Sequence, residues 1–256
     1  MPTDKPARLD GRRALVSGST SGIGRAIARA LAREGATVVV SGRDERAGIA
    51  VRDEIRATGG DAHVLRADLA EGGRAVRHLA DDASAALGGP VDLLVNNAAQ
   101  LVPAQSLLEA GEDLIDRALA VNVKAPFLLT AAVVPGMVAA GGGAVVNVGS
   151  INGSTGMAVA ALYGATKAAL HSLTASWAAE LAPRGIRVNA VAPGPTATPE
   201  NAPAHDLLRR LVATAPDRRP GTGDEVADAV VFLASAEAAH IHGVVLPVDG
   251  GYLAAR

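Results

Sequence analysis

Tyr163 and Lys167 are the residues of this sequence whose types and spacing point most directly to chemistry. They stand four positions apart in the stretch LYGATKAAL, which is otherwise made of small and aliphatic residues. On a helix, positions i and i+4 share a face, so the phenol and the ammonium can point into one cleft. A nearby ammonium stabilises a phenolate and lowers its pKa from the usual value of about 10. The pair predicts a proton donor, although an isolated pair at this spacing is more often an ordinary helix contact.

A glycine-rich turn follows the first predicted strand, in the stretch SGSTSGIG at residues 17–24. Gly18, Gly22 and Gly24 permit a tight turn and let backbone N–H groups at the start of the next helix approach a pyrophosphate. The positive end of the helix dipole favours an anion at the same place. The turn therefore predicts a dinucleotide site, and the alternative is a tight connection that binds nothing.

The end of the second predicted strand indicates which dinucleotide would bind. In proteins that bind NAD, an acidic residue about twenty positions after the glycine turn holds the ribose hydroxyls. Here the stretch VVVSGRD puts Arg43 near that position, and a guanidinium pairs well with the 2′-phosphate of NADP. The pattern favours NADP(H) over NAD(H). Asp44 could still reach a ribose, and Arg43 could instead be a solvated loop cation.

Short runs rich in β-branched residues alternate with longer segments rich in Ala, Leu and Arg. Several of the short runs are apolar on both faces, as strands covered by helices on both sides must be. This alternation predicts a single parallel sheet with helices on both faces. The predicted strands are residues 13–18, 36–42, 61–68, 91–97, 143–150, 186–194 and 243–251. The predicted helices include residues 24–33, 45–58, 73–87 and 170–181.

The composition excludes several classes of function. Hydrophobic residues make up 49% of the 256 residues and aromatic residues 2%, which predicts a large core of small aliphatic side chains. The net charge of −2 gives no reason to expect nucleic acid or an anionic membrane as a partner. The absence of cysteine excludes disulfides and thiolate metal sites and suits a cytoplasmic location. The six histidines are scattered without ligand partners, so no metal site is expected.

Neither a signal peptide nor a membrane span is expected, so the sequence predicts a soluble protein. The first residues contain no apolar stretch long enough for a signal peptide. The most apolar region, residues 131–148, is interrupted by Pro135 and by glycines at 141–143.

Residues 193–206 contain four prolines in fourteen positions and are predicted to form a long loop. A loop after the carboxyl end of a strand lies where open α/β sheets bind ligands. The segment that follows, LLRRLV at residues 207–212, is either a flap over a substrate or a plain amphipathic surface helix.

Six motifs occur in order and together resemble the classical short-chain dehydrogenase/reductase family. They are SGSTSGIG, NNAA at residues 96–99, Asn122 in VNVKAPF, Ser150 at the end of VVNVGS, YGATK at residues 163–167 and PGPTATP at residues 193–199. The resemblance extends from about Gly11 to Gly251. Ser17 and Ala99 stand where the family more often has Thr and Gly, and neither difference removes a group needed for the chemistry.

The resemblance implies a fold and a set of catalytic roles. The fold is one Rossmann-type, doubly wound domain over residues 1–256, with a seven-stranded parallel sheet. Tyr163 would be the acid/base, and Lys167 would lower its pKa and hold the nicotinamide ribose. Ser150 would anchor the substrate oxygen, and Asn122 would belong to a proton relay. The family also implies a homotetramer or, less often, a homodimer.

The resemblance implies a set of cofactor contacts as well. Asp68 and Leu69 match positions beside the adenine, and Pro193, Gly194 and Thr196 match the stretch against the nicotinamide carboxamide. The other positions carried over are Gly18, Ser19, Thr20, Ser21, Gly22, Ile23, Gly24, Arg43, Asn96 and Ala98, together with Tyr163 and Lys167.

These observations predict an NADP(H)-preferring alcohol dehydrogenase or carbonyl reductase. The alternatives are an epimerase or dehydratase that acts through a transient ketone, and a dinucleotide-sensing protein without catalysis. The substrate pocket is expected from residues 99–103, 151–155 and 198–213, whose small and apolar side chains indicate a modest, largely apolar ligand.

Overall fold

Seven parallel strands form one sheet in the computed structural model, which describes residues 7–255. In chain order they are β1 Arg13–Val16, β2 Thr37–Gly42, β3 Asp61–Arg66, β4 Leu93–Asn96, β5 Gly143–Val148, β6 Ile186–Pro193 and β9 Val245–Val248. The two-residue strands β7 Thr196–Ala197 and β8 Gly221–Thr222 form a separate pair. The prediction of seven strands in one parallel sheet is confirmed.

Helices connect the strands and cover both faces of the sheet. They are α1 Gly22–Arg33, α2 Glu45–Ala57, α3 Gly73–Ala86, α4 Glu112–Leu119, α5 Ala125–Ala139, α6 Ala161–Leu181, α7 His205–Leu211 and α8 Gly223–Ala234. Successive residues of a strand point to opposite faces, so Leu15 and Val16 of β1 enter different cores. Side chains of α1, α2 and α8 fill one core, and side chains of α3, α5 and α6 fill the other.

The order of the strands creates a crevice in the middle of the sheet. The order is β3-β2-β1-β4-β5-β6-β9, so the chain moves outward from β1 to β3 and then returns to the other side of β1 with β4. Open α/β sheets bind ligands outside the carboxyl ends of their strands at such a reversal. The doubly wound, Rossmann-type architecture is confirmed.

Helix α6 begins nine residues before the predicted helix at residue 170 and therefore contains both Tyr163 and Lys167. The predicted start was wrong because this helix opens with Ala160 as a cap that makes no side-chain hydrogen bond. The sequence consequently gives no polar capping signal of the kind that usually marks a helix start.

Helices α4 and α5 form one long run that the predicted helices omitted. A π-helical turn, Ala120–Lys124, joins them, and Pro135 lies on an exposed position inside α5 without ending it. By length and composition alone, Glu112–Ala139 could cross a membrane, with a mean hydropathy of 1.6. However, Leu129 and Met137 are buried among the side chains of the second core, so its apolar character serves the packing of the fold.

The proline-rich segment is more ordered than the predicted loop. Pro193 is the last residue of β6, and Thr196–Ala197 pairs with β8 before a 3-10 stretch, Pro199–Ala204, leads into α7. Proline is tolerated at the end of a strand and at the first positions of a helix, where its missing N–H is not needed.

Candidate functional site

A cleft of about 680 Å³ opens at the carboxyl edge of the sheet, where β1 and β4 end. The predicted site residues that line it are Gly18, Thr20, Ser21, Gly22, Ile23, Gly24, Arg43, Asp68, Leu69, Ala98, Ser150, Tyr163, Lys167, Pro193, Gly194 and Thr196. Residues from each of the three predicted substrate segments also line it. Three predicted site residues, Ser19, Asn96 and Asn122, do not.

Gly18 starts the turn at the bottom of the cleft, between the ends of β1 and β4. Its φ is +64°, in the left-handed region that favours glycine, and an added Cβ would lie 2.6 Å from the Cα of Ala98. An added Cβ on Gly24 would overlap the Gly18 carbonyl oxygen and the Asn97 amide. The glycine pattern therefore lets helix α1 start directly against the end of β4.

Asn97 fixes this turn, and the predicted site residues did not include it. Its Nδ2 donates to the carbonyl oxygens of Ser17 and Gly18 at 3.0 and 2.7 Å, and its backbone N–H donates to the Ser17 hydroxyl at 3.1 Å. Asn97 therefore joins β4 to the glycine turn of β1. The motif NNAA carried this signal, but adjacent asparagines give no indication of which one faces the turn.

Asn96 and Ser19 were predicted to contact the cofactor, and the structure places both in the interior. Asn96 is 2% exposed and donates to Thr130 Oγ1 and Asn147 Oδ1 at 3.0 and 2.9 Å. Ser19 is fully buried; its hydroxyl donates to the Val16 carbonyl and accepts from the Ser41 N–H. Their side chains hold neighbouring strands together and are excluded from the cleft because strand alternation turns them inward.

The start of helix α1 already attracts an anionic group. The N-cap residue Ser21 makes no side-chain capping bond. The carboxylate of Glu200, from the 3-10 stretch after β7, accepts a hydrogen bond from the Gly22 N–H. Although burial opposes ionisation of Glu200, hydrogen bonds from backbone N–H groups and the charge of Arg25 lower its pKa below the usual value. The first turn of α1 therefore stabilises negative charge, as helix N-termini do.

Tyr163 and Ser150 approach each other inside the cleft. Ser150 caps the 3-10 turn Ile151–Gly153 after β5 and accepts the Asn152 N–H at 3.2 Å. Burial raises the pKa of the Tyr163 phenol, and a hydrogen bond with the Ser150 hydroxyl acts in the opposite direction. The predicted lowering of this pKa is not found in the protein alone, because removal of the phenolate from water is the larger effect.

Lys167 lies beneath the phenol and is 2% exposed. Its Nζ is 5.7 Å from the centroid of the Tyr163 ring and donates to the Val148 carbonyl at 2.8 Å. Burial lowers the pKa of Lys167 to about 8. The ammonium is therefore held at a fixed position by β5, one helical turn from the phenol, and can lose its proton near neutral pH.

Asn122 lies in the π-helical turn between α4 and α5 and is 1% exposed. Its Oδ1 accepts the Gln100 N–H at 2.7 Å, and its Nδ2 donates to the Gln100 carbonyl and the Thr166 hydroxyl, both at 3.1 Å. Asn122 thus ties the loop after β4 to the helix that carries Tyr163. Single π turns of this kind occur frequently at functional sites.

His171, one turn beyond Lys167 on α6, packs against the loop that carries Ser150. An added Cβ on Gly153 would lie 2.6 Å from His171 Cε1, and one on Gly149 would overlap the same ring. Burial and the charge of Lys167 lower the pKa of His171. A neutral imidazole therefore fills the space between helix and loop, where the sequence alone favoured a surface or subunit contact.

Arg43 and Asp44 have different roles at the end of β2. Arg43 is exposed, lines the cleft, and has no ion-pair partner among residues 7–255. Asp44 instead caps α2, because its carboxylate accepts the Ala47 N–H at 3.0 Å. Asp68 follows β3 in the same way and accepts the Ala70 N–H at 3.0 Å.

Helix α7 lies beside the cleft. Leu208 and Leu211 line the cleft, Leu207 is half exposed away from it, and Val212 packs against Ile151 in a small buried cluster. The segment 207–212 is therefore amphipathic and also covers part of the site, so both alternatives that the sequence left open describe part of its structure.

The chain is similar to well-known proteins over nearly all of its length. A family model described as "Enoyl-(Acyl carrier protein) reductase" matches residues 18–253. The cyclopentanol dehydrogenase of Comamonas testosteroni is 39% identical over 250 residues, which cover 96% of this chain and 99% of that protein. The 2,5-dichloro-2,5-cyclohexadiene-1,4-diol dehydrogenase LinX of Sphingobium indicum is 37% identical over 247 residues, covering 96% of this chain and 97% of that protein.

Solved structures share the fold at comparable identity. One is a candidate NAD(P)-dependent gluconate 5-dehydrogenase of Beutenbergia cavernae with NADP bound at low occupancy. Its TM-score to this chain is 0.90 at 38% identity, and the match covers 98% of this chain and 100% of that one.

Proposed function

Because the chain belongs to the short-chain dehydrogenase/reductase family, we propose that it is an NADP(H)-preferring enzyme that interconverts an alcohol and a carbonyl compound. As a member of this family it is an oxidoreductase that uses a nicotinamide dinucleotide. The observation that carries the proposal is the hydrogen-bonded pair of Ser150 and Tyr163, with Lys167 beneath it, in one cleft with the glycine-rich start of α1.

The residues at one end of the cleft fit a dinucleotide. The first turn of α1 stabilises a carboxylate at Gly22, so it suits the negative charge of a pyrophosphate. Arg43 and Asp68 would lie along the adenosine half, and Gly194 and Thr196 along the nicotinamide half. When bound, the nicotinamide supplies or accepts the hydride, which is the chemistry of the cofactor and not of the protein.

The remaining chemistry belongs to the chain's own residues. In the reductive direction, Ser150 would bind the carbonyl oxygen and Tyr163 would give it a proton as the carbonyl carbon receives hydride. In the oxidative direction, both transfers run in reverse. The raised pKa of Tyr163 keeps the phenol protonated near neutral pH, as a proton donor requires. Lys167 would then return a proton to the phenolate. The part of Asn122 in the relay stays a prediction, because its amide is engaged with Gln100 and Thr166.

The direct test mixes purified protein with NADPH and a panel of aldehydes and ketones, and follows the loss of absorbance of the reduced nicotinamide. Consumption that depends on both the protein and a carbonyl compound supports the proposal. Binding of NADPH without turnover of any carbonyl or alcohol in the panel would instead favour a dinucleotide-sensing protein.

Replacement of Arg43 by alanine should weaken the preference for NADP(H). A charge-assisted contact with the 2′-phosphate contributes roughly 1.5–3 kcal/mol, so kcat/KM with NADPH should fall by about 10- to 100-fold. NADH lacks that phosphate, so kcat/KM with NADH should change little. Steady-state kinetics with both coenzymes measure the ratio. Arg46→Ala, an exposed position on α2 outside the cleft, is the matched control. Equal losses with both coenzymes would remove Arg43 from this role.

Replacement of Glu200 by glutamine should tighten dinucleotide binding. The carboxylate is ionised at neutral pH because its pKa is lowered, and it lies at the Gly22 N–H that a pyrophosphate would use. Removal of a like charge at a partly exposed position should lower Kd by roughly 3- to 10-fold. Isothermal titration with NADP⁺ measures the effect, and Glu180→Gln on the exposed side of α6 is the control. An unchanged Kd would mean that the carboxylate moves aside without cost.

A further inference from the structure

The charged side chains of the cleft lie away from its substrate half. Those among the described residues that line it are Arg43, Asp68, Lys167 and Glu200. Arg43 and Asp68 follow β2 and β3, on the far side of β1 from Ser150. Glu200 is bound at the start of α1, and Lys167 is buried and donates to the Val148 carbonyl. A negatively charged substrate at Ser150 would therefore find no free cation beside it.

The wall around Ser150 and Tyr163 is apolar. It is built by the loop after β4, the loop after β5 and helix α7, and its apolar members are Leu101, Val102, Ile151, Met157, Leu208 and Leu211. Leu101 is 75% exposed and Leu211 is 38% exposed. Large apolar side chains left uncovered beside a cleft gain free energy when a ligand removes them from water.

Most polar side chains of this wall are already used within the protein. Gln100 Nε2 donates to the Leu101 carbonyl at 3.0 Å. Asn201 accepts the Thr198 N–H and donates to the Thr196 carbonyl, both at 2.9 Å. The Asn152 amide lines the cleft without a protein partner among residues 7–255. Beyond Ser150 and Tyr163, the wall therefore offers a substrate one free amide.

We propose that the substrate is a neutral alcohol or ketone on a compact, predominantly apolar frame, with at most one further polar group to meet Asn152. This inference rests on the proposed function, because it describes what binds at Ser150 and Tyr163. A carboxylate or phosphate taken into this wall would lose its water without gaining a counter-charge, and a polyol would leave most of its hydroxyl groups without partners. A sugar acid or a phosphorylated substrate is accordingly excluded from the substrate half.

Matched ketones that share one ring test the proposal. With NADPH in excess, kcat/KM is measured for cyclohexanone, 4-methylcyclohexanone and 4-oxocyclohexanecarboxylate. The two neutral ketones should exceed the carboxylate by at least about 100-fold, and the methyl group should help and not hinder. Calorimetric titration of the protein saturated with NADP⁺ gives a readout without turnover: cyclohexanol should bind, and 4-hydroxycyclohexanecarboxylate should not.

Two neighbouring leucines of α7 provide a matched pair of variants. Leu208→Arg puts a cation on the wall and should lower kcat/KM for 4-methylcyclohexanone by about tenfold while raising that for the carboxylate. Leu207→Arg adds the same charge on the outer side of the helix, where Leu207 is 50% exposed, and should change neither value.

The possible outcomes separate this inference from the proposed function. Reduction of the carboxylate as efficiently as of the neutral ketones, or equal effects of the two arginine variants, would overturn the inference and leave the proposed function standing. Failure of every carbonyl and alcohol probe, in both directions and with both coenzymes, would overturn the proposed function itself.

Discussion

The variant Tyr163→Phe should lose carbonyl reduction by roughly 10²- to 10⁴-fold in kcat, the range typical of proton transfer from a positioned side chain. The ring remains, so its packing above Lys167 and the fold should persist, and Kd for NADP⁺ should change by less than about twofold. Steady-state kinetics with NADPH and a neutral ketone give kcat. Thermal unfolding and NADP⁺ titration check that folding and cofactor binding are intact.

The pH dependence distinguishes a proton donor from a residue that only shapes the cleft. Burial raises the pKa of Tyr163, so the phenol is protonated at neutral pH and the reductive rate should fall only as the pH rises through this raised value. Oxidation needs the phenolate and should rise over the same range. In Tyr163→Phe both slopes should disappear. Tyr252→Phe, which removes a hydroxyl outside the cleft, should keep them. A variant at Tyr163 that retained the parent rate would end its assignment as acid/base.

The variant Gly24→Ala should damage the fold and the cofactor site together. Its Cβ would overlap the Gly18 carbonyl oxygen and the Asn97 amide, and these groups are fixed by the turn and by β4. Overpacking of this kind costs about 1–3 kcal/mol, of which the better helix propensity of alanine offsets up to about 1 kcal/mol. Dinucleotide affinity should fall more than about tenfold, because relief of the overlap displaces the N–H groups at the start of α1.

Chemical denaturation and NADP⁺ titration measure the two effects of Gly24→Ala. Gly156→Ala is the control, since an added Cβ there meets nothing within 4 Å and the backbone has no positive φ. Its free energy of unfolding and its Kd should match the parent protein. If Gly24→Ala bound NADP⁺ as tightly as the parent, close packing of α1 against β4 would not be what shapes the site.

The sequence was sufficient to predict the sheet and the position of the reacting pair. Alternation of apolar runs with helical segments is a local pattern, and so is the i, i+4 relation between Tyr163 and Lys167. By contrast, the side of a strand that a residue faces depends on its register, so Asn96 was predicted at the site that Asn97 occupies. The pKa of Tyr163 was predicted in the wrong direction, because the extent of burial is a property of the packed structure.

Contacts between distant parts of the chain were the least predictable. Glu200 meets Gly22 only because the 3-10 stretch after β7 folds back over the start of α1, and no spacing in the sequence encodes that approach. The same holds for Asn122, whose hydrogen bonds join the loop after β4 to α6. Such residues become recognisable only when the tertiary fold is known.

The reversal of strand order between β1 and β4 also has a consequence for biosynthesis. The glycine turn after β1 is among the first parts of the chain to leave the ribosome, yet its second wall, at Asn97 and Ala98, follows after two further strands and three helices. A nascent chain that ends before β4 therefore has no closed groove for the coenzyme. Pulling on the two ends of β1 and β4 with a bound dinucleotide should break the molecule at this seam last, because the ligand spans both halves.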